Sequence, residues 1–228
     1  MARSSRSPAP DPASPPAKSA EAAKDDSRRE QVLRAARVVF ELHGLEGASM
    51  RTIAQAALFT TGAIYPYFKG KEEIYAELLS RSLEAYRQRL VADVQATVDP
   101  RERLGAALMA HFEHYVVRPD DMALALYLFN GLRPQGLNRE LDARLNRQLE
   151  SIMVIFRDAV LALAGGPLAD VEAEVGMHYA MLFGLLLFHH TRRTRVLHIE
   201  PREVLQGHIR HTLDRFPPSA PRRRRRTP

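Results

Sequence analysis

Between Ser27 and Phe216 apolar residues recur three and four positions apart in segment after segment, and nowhere do they sustain the alternation of a strand. A helix brings a side chain back to the same face every few residues, so this pattern commits the chain to amphipathic helices packed on one another. The interruptions are explicit. Gly44, Asp99-Pro100, Arg118-Pro119, Arg133-Pro134-Gln135-Gly136, Gly165-Gly166-Pro167 and Glu200-Pro201 each favour a turn or remove a backbone donor. The fold class that follows is all-α, with about nine helices set by these stop signals. They are expected at 27–43, 49–57, 60–67, 71–98, 101–117, 120–131, 138–164, 168–193 and 202–216. Ser27 is expected to cap the first of them and Gly44 to end it.

The two ends read differently. Residues 1–26 are rich in Pro, Ala, Ser and Asp, and residues 217–228 carry five consecutive arginines; neither stretch has a periodic apolar pattern. Both are expected to be disordered. Between them the sequence divides into a small unit of short helices at 27–72 and a larger helical unit at 73–216.

Charge has to be located before it is used. The formal net charge is +6, but the run from Arg222 to Arg226 leaves only +1 for the rest of the chain. Overall basicity therefore carries no argument for a nucleic-acid partner, and the tail is either a solvated segment or a nonspecific DNA tether. There is no cysteine, which excludes disulfides, a thiolate metal site and a thiol switch. The early arginines are not followed by an apolar core, as a secretory signal requires. The longest apolar run, Ala180 to Phe188, is about half of a membrane span. The expectation is a soluble, cytoplasmic protein with no membrane partner.

The most informative stretch is Ser49 to Lys71, SMRTIAQAALFTTGAIYPYFKGK. Two short helices joined by a tight turn bury too little surface alone, so they must lean on the first helix. Ile53, Ala54, Ala57, Ile64 and Phe68 supply that contact, and the small Ala54 and Ala57 let the short helices cross closely. Thr60, Thr61 and Ala63 project from the start of the second short helix, the part that a helix-turn-helix presents to base edges in the major groove.

Over residues 28–79 the sequence resembles the TetR family of repressors. The resemblance rests on Phe40 and Gly44, on Ser49-Met50-Arg51-Thr52-Ile53-Ala54, on Thr60-Thr61-Gly62-Ala63-Ile64-Tyr65, and on Tyr67-Phe68 with Lys71-Glu72. It implies that Thr60, Thr61 and Ala63 contact bases or phosphates, that Gly62 allows close backbone approach, and that Tyr65 lies on the same surface. It further implies phosphate contacts from Ser49, Tyr67 and Lys71. Two departures stand out. The chain has Leu58-Phe59 where the family usually has Gly-Val, so a positive φ in the turn would strain Leu58. Pro66 sits late in the recognition helix and is suited to ending it early.

The resemblance also implies that residues 73–216 bind a ligand and dimerise, the last two long helices forming a four-helix bundle with their mates. Leu205, Ile209, Leu213 and Phe216 on the final helix, and the nearly all-apolar stretch from Met181 to His190, suit that role. Met109, Phe112, Tyr115, Tyr127, Asn130, Phe156 and His178 are the candidate effector-pocket residues, with His111, His114 and Arg133 as further polar groups. Most such side chains in any helical domain are ordinary core. The nine histidines do not compose a metal site: His189 and His190 point apart on a helix, and His111 with His114 lacks a third ligand. No phosphate-binding glycine loop or nucleophile–base pair suggests an enzyme, and no cofactor is expected. The expected function is a homodimeric transcription regulator, a repressor released from a palindromic double-stranded operator by a small-molecule effector. The alternative is an architectural DNA-binding protein with no effector.

Overall fold

The computed structural model describes residues 17–126, 137–165, 167 and 169–217. Among them are ten helices and no strand: α1 (Ala17–Gly47), α2 (Met50–Ala56), α3 (Thr61–Ile64), α4 (Lys71–Gln95), α5 (Arg103–Val116), α6 (Pro119–Leu126), α7 (Arg139–Ala164), α8 (Val171–His190), α9 (Thr194–Leu197) and α10 (Pro201–Arg215). The described residues fall into two compact units divided after Lys71. All-α architecture is thus the observed fold, with one more helix than the pattern gave, the short α9.

Several boundaries are corrected. Helix α1 extends back to Ala17, so Ser27 lies inside it and caps nothing, and residues 17–26 are helical where irregular chain was expected. This stretch, AKSAEAAKDD, has no apolar face, but seven of its ten residues are alanine, lysine or glutamate, which lose little on entering a helix. Gly44 breaks α1 as expected, with φ 65° and ψ 178°. Helix α3 is a single turn ending at Ile64, because Tyr65 and Pro66 turn the chain out. The helix expected at 120–131 is α6, described only to Leu126.

In the first unit α1 is the platform. Its Val32, Leu33, Ala36, Val39 and Phe40 are buried together with Ile53, Ala54 and Ala57 of α2, Ile64 of α3 and Phe68. Ser49 caps α2 through a capping box: its Oγ accepts from Thr52 N–H at 3.1 Å, and Ser49 N–H donates to Thr52 Oγ1 at 2.9 Å. Gln31 Nε2 donates to the Ala57 carbonyl at 2.9 Å, joining α1 to the far end of α2.

In the second unit α5, α7 and α8 pack on one another, and α10 lies against α5 and α8. Tyr86, Leu90, Leu104, Leu108, Ile152, Phe156, Val160, Leu182, Leu186 and Leu205 form its fully enclosed core. Gly105 on α5 makes room for α10, since a Cβ there would meet Ile209 Cγ2 at 3.1 Å. Helix α8, with mean hydropathy 1.3 over an 18-residue window, is long and apolar enough to cross a bilayer by length and composition alone. It nonetheless carries a buried Glu174 and a buried His178, both tied to polar partners on α10.

Candidate nucleic-acid interface

The turn between α2 and α3 is built from the end of α2. Phe59 N–H donates to the Ala54 carbonyl and Leu58 N–H to the Gln55 carbonyl, at 2.9 and 3.1 Å. These are the two bonds of a Schellman motif, which needs a left-handed residue between them. Leu58 is that residue: its φ is 59° and its side chain is 87% exposed. The strain anticipated at the Leu58-Phe59 departure is present, and the turn keeps the geometry that glycine would give.

That turn delivers α3 with Ile64 buried and its other residues outward. Thr60 stands at the N-cap in an extended conformation, exposed, with no cap hydrogen bond from its hydroxyl. Gly62 and Ala63 are exposed, Thr61 half-buried, and Tyr65 is 53% exposed. A Cβ added at Gly62 would meet nothing within 4 Å. The fold itself therefore places no demand for a small residue there. The face is held rigidly from behind by Ile64 and Phe68 and is open in front.

The flanking candidates are already engaged. Ser49 Oγ is committed as acceptor to the α2 cap. Tyr67 hydroxyl donates to Asp25 Oδ1 at 2.9 Å. Lys71 Nζ donates to the Leu45 and Ala48 carbonyls at 2.9 and 3.1 Å and lies 3.5 Å from that of Glu46. These carbonyls follow the Gly44 break, and the lysine adds a donor to them where the helix is interrupted; Leu45 also accepts from Ala48 N–H at 3.3 Å. In this structure Lys71 pins the connection between α1 and α2. Asp25 was missed from the sequence because it lay in the segment expected to be irregular.

In the second unit the pocket candidates separate. Tyr115 and Phe156 lie with Tyr86, His111 and Tyr179 in a ring cluster, the centroids 5.0 Å (His111–Tyr115), 6.1 Å (His111–Phe156) and 5.4 Å (His111–Tyr179) apart. Tyr86 hydroxyl and His111 Nδ1 share a hydrogen bond of 2.7 Å. Desolvation, with a smaller repulsion from His114, pushes the His111 pKa down to about 3. Desolvation and the Arg118 charge bring His114 to about 4, and burial raises Tyr86 and Tyr115 well above their ordinary value. The cluster is therefore uncharged near neutrality. His114 Nε2 and Ser82 Oγ are buried in this unit without a hydrogen-bond partner. Phe112 is buried and Met109 half-buried on the same α5.

His178 is elsewhere, facing α10. Its Nδ1 shares a 2.7 Å hydrogen bond with His208 Nε2, and its Nε2 is 3.3 Å from Glu174 Oε1 but outside hydrogen-bonding geometry. Arg215 forks onto both Glu174 oxygens at 3.0 and 2.9 Å. Desolvation first, then the His208 neighbour, lowers the His178 pKa to about 4. Tyr127, Asn130 and Arg133 lie outside the described residues. Among the described residues no group of three or more His, Asp and Glu side chains could hold a metal ion.

Residues 32–78 match the family model described as bacterial regulatory proteins, tetR family. The HTH-type transcriptional regulator HbdR of Aromatoleum sp. (strain CIB) is 30% identical over 127 residues, 55% of this chain and 56% of that protein. The HTH-type transcriptional repressor KstR2 of Mycobacterium tuberculosis (strain ATCC 25618 / H37Rv) is 38% identical over 88 residues, 39% of this chain and 44% of that protein. The chain thus spans about half the length of these curated relatives. Among solved structures, the transcriptional regulator FadR from Bacillus subtilis in complex with stearoyl-CoA superposes with a TM-score of 0.63 at 19% identity. The match covers 81% of this chain and 97% of that one, and shows a shared fold.

Proposed function

Since this chain belongs, through its helix-turn-helix segment, to the tetR family of bacterial regulatory proteins, we propose that it is a sequence-specific DNA-binding transcription regulator. It acts as a homodimer on a palindromic operator, and as a repressor that a small-molecule effector releases. The observation that carries the reading is the α3 face. Thr60, Thr61, Gly62, Ala63 and Tyr65 are presented by a packed core, and Gly62 keeps open a space that no residue of the protein fills. A DNA backbone or base edge is the partner such a face fits. Ser49 and Tyr67 flank it as phosphate contacts.

Dimerisation is supported by Met177, Leu187 and Phe188, apolar residues exposed on α8, and by Val204 on α10. Two copies joined there would set two recognition helices against one face of the duplex, about 34 Å apart. The effector reading rests on the uncharged Tyr86–His111–Tyr115–Phe156–Tyr179 cluster and the orphaned Nε2 of His114, whose ring packs on Tyr86 and Tyr115. Such an interior favours a largely apolar ligand with an uncharged polar group. Because the similar FadR fold was solved with stearoyl-CoA, acyl-CoA thioesters, whose acyl chain and thioester suit that interior while the charged CoA portion would stay outside it, are the first effectors to screen. Helix α4, which follows directly from the DNA-binding unit at Lys71, would carry the response, and a coupling of about 1–3 kcal/mol suffices.

The test is selection of binding sites from random duplex DNA, followed by challenge of the bound duplex with acyl-CoA. An inverted repeat whose sequence preference changes in Thr61→Ala supports the reading. Binding that is sequence-independent and untouched by Thr61→Ala overturns it. A specific complex that no acyl-CoA or free apolar ligand releases favours the architectural alternative.

A further inference from the structure

We propose that Asp25 is a built-in competitor for the DNA phosphate at Tyr67, so that the N-terminal turns of α1 act as a latch on DNA binding. The inference rests on the DNA-binding reading above and concerns the regulation of that same site. A phenol has one proton to donate. In this structure the Tyr67 proton goes to Asp25 Oδ1 at 2.9 Å. A phosphate arriving at the same hydroxyl would meet lone pairs on the tyrosine and a carboxylate beside it. The two acceptors therefore exclude one another, and binding DNA through Tyr67 requires Asp25 to leave.

The two partners differ in how firmly they are held. Tyr67 N–H donates to the Ile64 carbonyl at 2.9 Å, and the neighbouring Phe68 is buried with the Arg29 guanidinium 5.0 Å from its ring centroid. The tyrosine is anchored to the core. Asp25, in contrast, lies among exposed residues 22–28, ahead of Val32, where the buried face of α1 begins. A helical end with no buried apolar side chain opens locally at little free-energy expense. So the carboxylate is the movable partner, and it holds the tyrosine in a state unfit for phosphate until DNA displaces it.

The experiment uses the full chain and a duplex selected by the wild type, with dissociation constants measured by fluorescence anisotropy at about 150 mM salt, where charges beyond roughly 8 Å are screened. Asp25→Ala should bind about five-fold more tightly, the scale of one exposed charge-assisted hydrogen bond. Asp26→Ala removes the same charge one residue away and should change binding by less than about two-fold. Tyr67→Phe should weaken binding, and Asp25→Ala should gain nothing in the Tyr67→Phe background, which is the coupling a shared proton demands. An Asp25→Ala protein that binds no better, or gains equally with and without the Tyr67 hydroxyl, overturns the latch while leaving the DNA-binding reading intact. A wild type that selects no duplex overturns both.

Discussion

Leu58 holds a left-handed conformation with its side chain in solvent, so it keeps the strain of a Cβ and gains no burial in return. A left-handed residue other than glycine costs roughly 1–2 kcal/mol, while glycine adds flexibility to the unfolded chain. On balance Leu58→Gly should stabilise the first unit by about 0.5–1 kcal/mol, read as a higher urea midpoint at unchanged slope. Lys71→Met makes the opposite case. It removes the lysine's bonds to the Leu45 and Ala48 carbonyls, of which Leu45 keeps the Ala48 N–H, and should cost about 1 kcal/mol. The salt dependence of DNA binding should stay as in the wild type, whereas loss of a true phosphate contact would lower its slope by about one. At this scale the sequence told much about Leu58 and little about Lys71. A positive-φ position is inferred from local spacing alone. The partners of Lys71 are 23 and 26 residues away, and that of Tyr67 is 42 away, where no spacing rule reaches.

Among the elements, those with an apolar face were legible and those without one were not. α4, α5 and α7 show that face directly, whereas the N-terminal turns of α1, exposed at residues 22–28, and the four residues of α9 offer no periodicity to read. α3 was placed correctly at its start and overrun at its end, since Pro66 was compatible with either length. Its interior glycine gives a clean separation of stability from function. Gly62 sits in helix with no neighbour within 4 Å of an added Cβ. Gly62→Ala should therefore stabilise the free protein, by up to about 1 kcal/mol from backbone entropy alone. The same methyl group should weaken binding to the selected duplex. A calorimetric melt and an anisotropy titration on one preparation check both; loss of stability would mean that α3 packs more closely than described.

On the scale of the whole molecule, the second unit encloses a histidine that must stay neutral. His111 has its folded pKa lowered from 6.5 to about 3 by burial. The unfolded chain therefore takes up a proton that the folded one refuses. Stability from this group is complete above pH 6.5 and falls as pH drops from there toward 3, by up to about 1.4 kcal/mol per pH unit. Urea midpoints at pH 7.5 and 5.0 should differ markedly, and His111→Gln should reduce the difference, with His114 and His178 keeping the remainder. The sequence showed the histidines but not this fate. Periodicity assigns a residue to a face, and only the packed bundle decides whether that face meets water, as it also separated His178 from Tyr115 and Phe156.

The fork from Arg215 to Glu174 joins the last helical residue to the beginning of α8. It gives the chain an edge past which trimming is no longer harmless. A protease that clips the arginine run leaves the fork intact. One that removes the final turn of α10 strips a half-exposed guanidinium from a carboxylate only 5% exposed, a loss of about 1–2 kcal/mol. Limited digestion followed by mass spectrometry should therefore yield a durable fragment ending after Arg215 and none that accumulates with an end just before it. The end of α10 is then the point past which trimming from the C-terminal side is expected to weaken the second unit.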